Sequence, residues 1–175
     1  MHPWHDVDPR QKNEGEVLAL IEIPQGSRAK YEVHKASGLL MLDRMLAASM
    51  VFPINYGFIP QTLAEDGDPL DITVMSLLPL EPLCLVKARI VGSFTMIDRG
   101  QADDKLLAVA IEDPTVNHIR TLEDWPEHLL KEMAHFFARY KEIEGKPVTV
   151  HDPKGRGDAL RQLEESFLRY TEEKF

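Results

Sequence analysis

The chain has 175 residues, 43% of them apolar, enough for one globular domain with a sizeable core and too apolar for a disordered segment. With 29 acidic residues against 20 basic ones, its formal charge of −9 argues against a general nucleic-acid or anionic-membrane binder. Its single cysteine, Cys84, excludes an internal disulfide and, placed in an apolar run, reads as a buried, inert thiol suited to a reducing cytosol.

Met1-His2-Pro3-Trp4-His5-Asp6 has neither a basic flank nor an apolar leader, and no stretch approaches the roughly 20 apolar residues that span a bilayer, so a soluble, unexported chain is expected. Residues 1–15 read as an N-terminal arm and 16–175 as a single domain. The arm has three open fates: folding back through Trp4, joining an interface, or staying mobile. Short runs rich in β-branched residues then predict strands at 17–23, 30–35, 39–43, 71–75, 83–97 with a bend or bulge at Gly92, and 105–111. Beyond Asp124 the period changes. Pro126 suits a first helical turn, and Leu129, Leu130, Met133, Phe136, Phe137, Tyr140 and Ile143 recur at helical spacing up to about Gly145. A strand at 148–151 and a second helix through Leu160, Leu163, Phe167 and Tyr170 complete an α+β, predominantly β fold, an antiparallel barrel or sandwich with two helices.

Asp66-Gly67-Asp68-Pro69-Leu70-Asp71 concentrates three carboxylates in one turn, echoed by Asp98 and Asp103-Asp104-Lys105. Such a turn aims several oxygens at one point, as hard divalent cations require. An EF-hand fails, because Asp71 falls where the loop glycine belongs and Leu77 where the bidentate glutamate does. Zinc spacing is missing too, as are a P-loop and a dinucleotide fingerprint. Cations and phenols nonetheless accompany the carboxylates: Lys30 beside Glu32 on one strand face, Arg44, Tyr56, Lys105, and Tyr140-Lys141. Taken singly, each has a structural explanation, such as an edge lysine or a packed tyrosine. Together they pair groups that hold cations with groups that hold a polyanion.

The ordered set Glu22-Ile23-Pro24, Lys30-Tyr31-Glu32, Asp43-Arg44, Pro53-x-Asn55-Tyr56-Gly57, Asp66 to Asp71, Asp98, Asp103-x-Lys105 and His135-Phe136-Phe137 leading to Tyr140-Lys141 resembles the soluble family I inorganic pyrophosphatases. The N-terminal His-Pro-Trp-His-Asp and Met96-Ile97-Asp98-x-Gly100 look closer to their plant-like branch. The resemblance implies an OB-like, closed or partly closed β-barrel flanked by helices, and magnesium-dependent hydrolysis of pyrophosphate to two orthophosphates by a metal-activated water, with manganese or another divalent metal as a substitute. Carried over by motif, Asp66, Asp71 and Asp103 are metal ligands, Asp98 helps hold substrate-associated metal, and Glu22 and Glu32 act directly or through water. Asp68 is the base that deprotonates the attacking water. Lys30, Arg44, Tyr56, Lys105, Tyr140 and Lys141 contact phosphate oxygens. The resemblance also implies a cytoplasmic homo-oligomer, a hexamer ahead of smaller states, with no nucleic-acid or membrane partner.

Pyrophosphate is highly anionic, so an acidic pocket repels it unless cations reverse the local potential. Three positions depart from the family pattern: Phe52 stands where many relatives have Tyr, His34 where Asp is common, and Arg99 where shorter bacterial relatives have Glu. None removes a proposed ligand or the base. Two rivals remain on the residues alone: a noncatalytic OB-like module binding anions, and a metal-dependent hydrolase of nucleotides.

Overall fold

The computed structural model describes residues 1–173 and 175. Its strands are β1 (Glu16–Ile23), β2 (Ala29–Val33), β3 (Leu40–Met45), β4 (Asn55–Phe58), β5 (Asp71–Met75), β6 (Leu85–Asp98), β7 (Gln101–Ala110), β8 (Val148–Val150) and β9 (Lys154–Gly155). The helices are α1 (Glu127–Arg139) and α2 (Arg156–Glu172), with one 3₁₀ turn at Leu122–Asp124.

Strand order runs β1-β4-β5-β7-β6, and β6 pairs back onto β1, so five strands close a ring. The predominantly β fold expected from the sequence is present, with one correction: β5 and β7 pair in parallel, because β6 lies between them in the chain and on the far side of β7. At 14 residues, β6 is long enough to serve the ring and also carry β8 and β9 on its other edge. Its ladder breaks register between Ile90 and Gly92, at the predicted bulge, where a Cβ on Gly92 would lie 2.7 Å from the Lys154 carbonyl oxygen. β2 and β3 form a separate hairpin.

Strand alternation sorts most of the core into two large bodies, beside a small third one around Trp4. Leu107 and Val109 of β7 pack with Phe94, Phe52 and the Met133, Phe136 and Phe137 face of α1. Leu106, Ala108 and Ala110 of the same strand face the other way, toward Ile21, Ile72 and the Leu163 and Phe167 face of α2. Each helix therefore covers its own apolar body, as their apolar periods predict.

Several boundaries differ from the sequence reading for local reasons. α1 stops at Arg139 rather than near Gly145. Tyr140 stacks on Phe136 at 5.1 Å, the chain then turns, and Ile143 is 70% exposed instead of joining the apolar stripe. β2 ends two residues early because residues 34–38 form the hairpin turn, with Gly38 donating to the His34 carbonyl at φ +70°. β7 begins at Gln101, since Arg99 and Gly100 both take positive φ in a two-residue hairpin turn. Leu83 is likewise in the left-handed region, outside any strand, and leaves Cys84 partly exposed rather than buried. Trp4 is 4% exposed, packed with Leu20 and Phe58, so the arm folds back.

Candidate active site

The turn between β4 and β5 carries Asp66 and Asp68, and its shape follows from the residues. The Asp68 amide donates to Asp66 Oδ1 at 3.0 Å, Gly67 adopts φ +84°, and Ala64 donates to the Asp68 carbonyl at 2.7 Å. Asp71 opens β5 in register with Lys105 of the parallel β7, while Asp103 and Lys105 share a face two residues apart. Asp98 closes β6, Glu22 lies on β1, Lys30 and Glu32 on β2, and Tyr56 on β4. Tyr140 and Lys141 follow α1 directly. These elements meet around a cavity of about 650 Å³, lined by the charged residues and the two tyrosines just named.

Arg44 is the one proposed site residue outside the wall. Its guanidinium pairs with Asp43 Oδ2 at 2.7 Å and with Glu144 Oε1 at 2.8 Å, and Lys30 reaches the same Asp43 oxygen at 2.7 Å. Glu144 and Lys35 were not singled out from sequence, and Trp4 was named only as an anchor on which the arm could fold back. Glu144 reads as one charge in an exposed run, and Lys35 belongs to a hairpin turn. The Lys35 ammonium pairs with Asp68 Oδ1 and lies 3.2 Å from the Gly67 carbonyl oxygen.

Burial governs the electrostatics. Lys105, 2% exposed, donates to Asp71 Oδ2 at 2.5 Å and to Asp103 Oδ1 at 2.9 Å. Burial alone would lower its pKa; Asp71 above all, then Tyr56 and Asp103, reverse that and hold the ammonium charged well above its usual range. Burial raises the Asp71 carboxyl, against the pull of Lys105. Glu22 is pushed up to about 8, chiefly by burial, although its Oε1 accepts the Val33 amide at 2.6 Å. Asp66 rises for the same first reason, partly offset by the Asp68 amide. Burial, then the Asp71 charge, drives the Tyr56 phenol upward. Lys141 pairs with Asp98, and Tyr140 and Asp98 outweigh the burial that would lower it.

Seven carboxyl groups line the cavity (Glu22, Glu32, Asp66, Asp68, Asp71, Asp98 and Asp103) against four lysines, Lys30, Lys35, Lys105 and Lys141. Among the described residues, no three carboxylate, imidazole or thiolate groups stand at the spacing of a preformed metal site, and Lys105 stands between Asp71 and Asp103. The donor set still fits a hard divalent cation. It is all oxygen, it carries an excess of negative charge, and Asp98 Oδ1 is buried without a hydrogen-bond partner among the described residues.

Residues 19–171 match the family model described as Inorganic pyrophosphatase. The chain belongs to the inorganic pyrophosphatase family. Among soluble pyrophosphatase relatives, it is 43% identical over 171 residues to soluble inorganic pyrophosphatase 2 of Chlamydomonas reinhardtii, covering 98% of this chain and 89% of that one. It is 45% identical over 158 residues to the inorganic pyrophosphatase of Geobacillus stearothermophilus, covering 90% and 96% respectively. The inorganic pyrophosphatase structure from Thermus thermophilus superposes with a TM-score of 0.90 at 40% identity, over 94% of this chain and 97% of that one. Identity to the algal and the bacterial relative is nearly equal.

Proposed function

We propose that this inorganic pyrophosphatase hydrolyses pyrophosphate to two orthophosphates by direct attack of water, with magnesium as cofactor and manganese or another divalent metal as a substitute. The meeting of the carboxylates, lysines and two phenols in one cavity carries this reading. Asp66, Asp71 and Asp103 would hold the cation, Asp98 would help at the substrate, and Glu22 and Glu32 would contribute directly or through water. A cation held there neutralises substrate oxygens and lowers the pKa of a water from about 15.7 towards neutrality.

Asp68 Oδ1 faces Lys35, which leaves Oδ2 to accept the proton of the attacking water. The water oxygen bonds to phosphorus as the bridging P–O bond breaks, and the departing orthophosphate keeps the bridging oxygen. Lys30, Lys105 and Lys141 place cationic donors on the phosphate oxygens, and Tyr56 and Tyr140 add directional hydrogen bonds. Burial keeps the Tyr56 phenol protonated and therefore a donor. Arg44, held by Asp43 and Glu144 at the margin, is the phosphate contact this geometry supports least. No covalent nucleophile is required.

The proposal takes residues 16–175 as the catalytic domain and extends to a homo-oligomer, hexamer ahead of smaller states, working in the cytoplasm. Among the described residues, no helix is long and apolar enough to cross a membrane. Exposed Leu39, Met41, Leu42 and Met45 on or beside β3 support association, and light scattering reads the mass. Purified protein with magnesium should release orthophosphate from pyrophosphate faster than from ATP, and EDTA should abolish the release. Faster release from ATP would move the reading to nucleotides. No release by folded protein with either metal would leave the anion-binding module standing.

A further inference from the structure

The N-terminal arm contributes no strand or helix to the site, yet it grips the two turns that carry Asp68 and Lys35, and it also meets α2, where His5 Nδ1 lies 2.8 Å from the Tyr170 hydroxyl. Trp4 Nε1 donates to the Thr62 carbonyl at 2.8 Å. The Gln61 amide donates to the Trp4 carbonyl at 2.8 Å, and Gln61 Nε2 to the His5 carbonyl at 3.1 Å. Gln61 sits at φ +54°, a left-handed conformation costly for a residue other than glycine, and the arm takes a backbone and a side-chain donor of that residue. Thr62 next door closes the acidic turn: its hydroxyl accepts the Leu70 amide at 2.8 Å and donates to the Ile59 carbonyl at 2.5 Å.

On its other side the arm meets the β2–β3 turn. His2 Nε2 donates to the Lys35 carbonyl at 2.9 Å, in keeping with the Trp4 amide pointing at His2 Nδ1 at 3.3 Å. A Cβ on Gly38 would lie 2.8 Å from Pro3 Cδ and 3.0 Å from His2 Cδ2, so this turn and the arm are in close contact. The same turn delivers Lys35 to Asp68.

We propose that residues 2–6 form a clamp that fixes Asp68 relative to Lys35, with Trp4 as its positioning residue. The inference rests on the role of Asp68 given above. Trp4 lines the cavity but is too buried to be a substrate platform, so it acts through the turn. α2 holds the same turn by bonds that do not pass through the arm, although the arm also touches α2 at Tyr170. Leu63 donates to the Ser166 carbonyl at 3.0 Å, and Arg169 Nε donates to the Leu63 carbonyl at 2.9 Å. Loss of the clamp therefore loosens the turn without unfolding it.

The test uses full-length Trp4→Phe and Trp4→Ala, with melting, kcat, KM for magnesium pyrophosphate, and amide exchange of residues 61–70. Trp4→Phe keeps a ring and loses the hydrogen bond to Thr62. Expected are faster exchange confined to 61–70 and a kcat per folded molecule roughly tenfold lower for Trp4→Ala, with KM within about twofold and Trp4→Phe intermediate. A lower melting temperature with parent-like kcat per folded molecule and parent-like exchange would overturn the clamp and leave Trp4 as packing. If Trp4→Ala does not fold, Trp4→Phe decides by the same two readings. A parent inactive on pyrophosphate would sink the functional reading, while exchange still decides whether the arm holds the turn.

Discussion

At the level of single residues, the site is built on one buried cation between two carboxylates. Lys105→Met removes that cation and leaves the half-buried Asp71 and Asp103 carboxylates without their shared counter-charge. The expected loss is about 3 kcal/mol, read by urea unfolding, because breaking a buried pair costs more than the pair contributes. A loss below about 1 kcal/mol would show the two carboxylates to be well solvated. Asp113 is a contrasting, exposed case. It accepts the Thr115 hydroxyl at 2.7 Å, the Leu77 amide at 2.6 Å and the Thr115 amide at 2.9 Å, and these bonds, Thr115's hydroxyl first, lower its pKa below 3.8. A depressed carboxyl contributes stability above its unfolded pKa and loses it as pH falls through the folded value. Asp113→Asn is therefore expected to cost at most about 1 kcal/mol near neutrality, with parent and variant melts converging as pH falls through the depressed folded value. A constant gap down to low pH would contradict the assignment. Individual candidates were legible in the sequence because Asp66, Asp68 and Asp71 share one short turn. Lys35 and Glu144 were not, since what marks them is a partner 33 residues away in one case and 100 in the other, as the contacts Lys35–Asp68 and Arg44–Glu144 show.

At the level of elements, the strands that were missed are those whose reasons lie elsewhere in the chain. β4, with Asn, Tyr and Gly between prolines, shows no strand pattern and was not predicted, yet all four of its residues are buried. Gly57 explains the sequence: a Cβ there would run into the Leu20 carbonyl and lie 2.9 Å from Ile21 Cα. Gly57→Ala should force β1 and β4 apart and cost about 3 kcal/mol, seen as a lower urea midpoint at unchanged slope. A parent-like midpoint would mean the two strands separate easily. Helix α2 and strand β5 were legible because their patterns are local. The early end of α1 was not, because Lys141 turns toward Asp98, 43 residues away, a partner no periodicity reveals.

At the level of the whole molecule, closure of the five-strand ring delivers β1, β4, β5, β6 and β7 to one cavity, and the β2–β3 hairpin and the turn after α1 complete its wall. Ring closure depends on β1 pairing with both β4 and β6, a long-range fact that strand patterning cannot supply, and the parallel β5–β7 pair is its least predictable consequence. The ordered motifs nevertheless named most of the charged residues of the cavity wall, with Arg44 outside it and Lys35 missed, because the proposed metal-assisted attack on a polyanion requires these residue types together. The central claim is that this cavity hydrolyses pyrophosphate with Asp68 as the proton acceptor. The direct test compares initial orthophosphate release from pyrophosphate and magnesium by the parent and by Asp68→Asn, both shown to be folded. The account predicts rapid release by the parent and a loss of roughly a hundredfold or more in kcat for the variant. An Asp68→Asn rate equal to that of an active parent would contradict it.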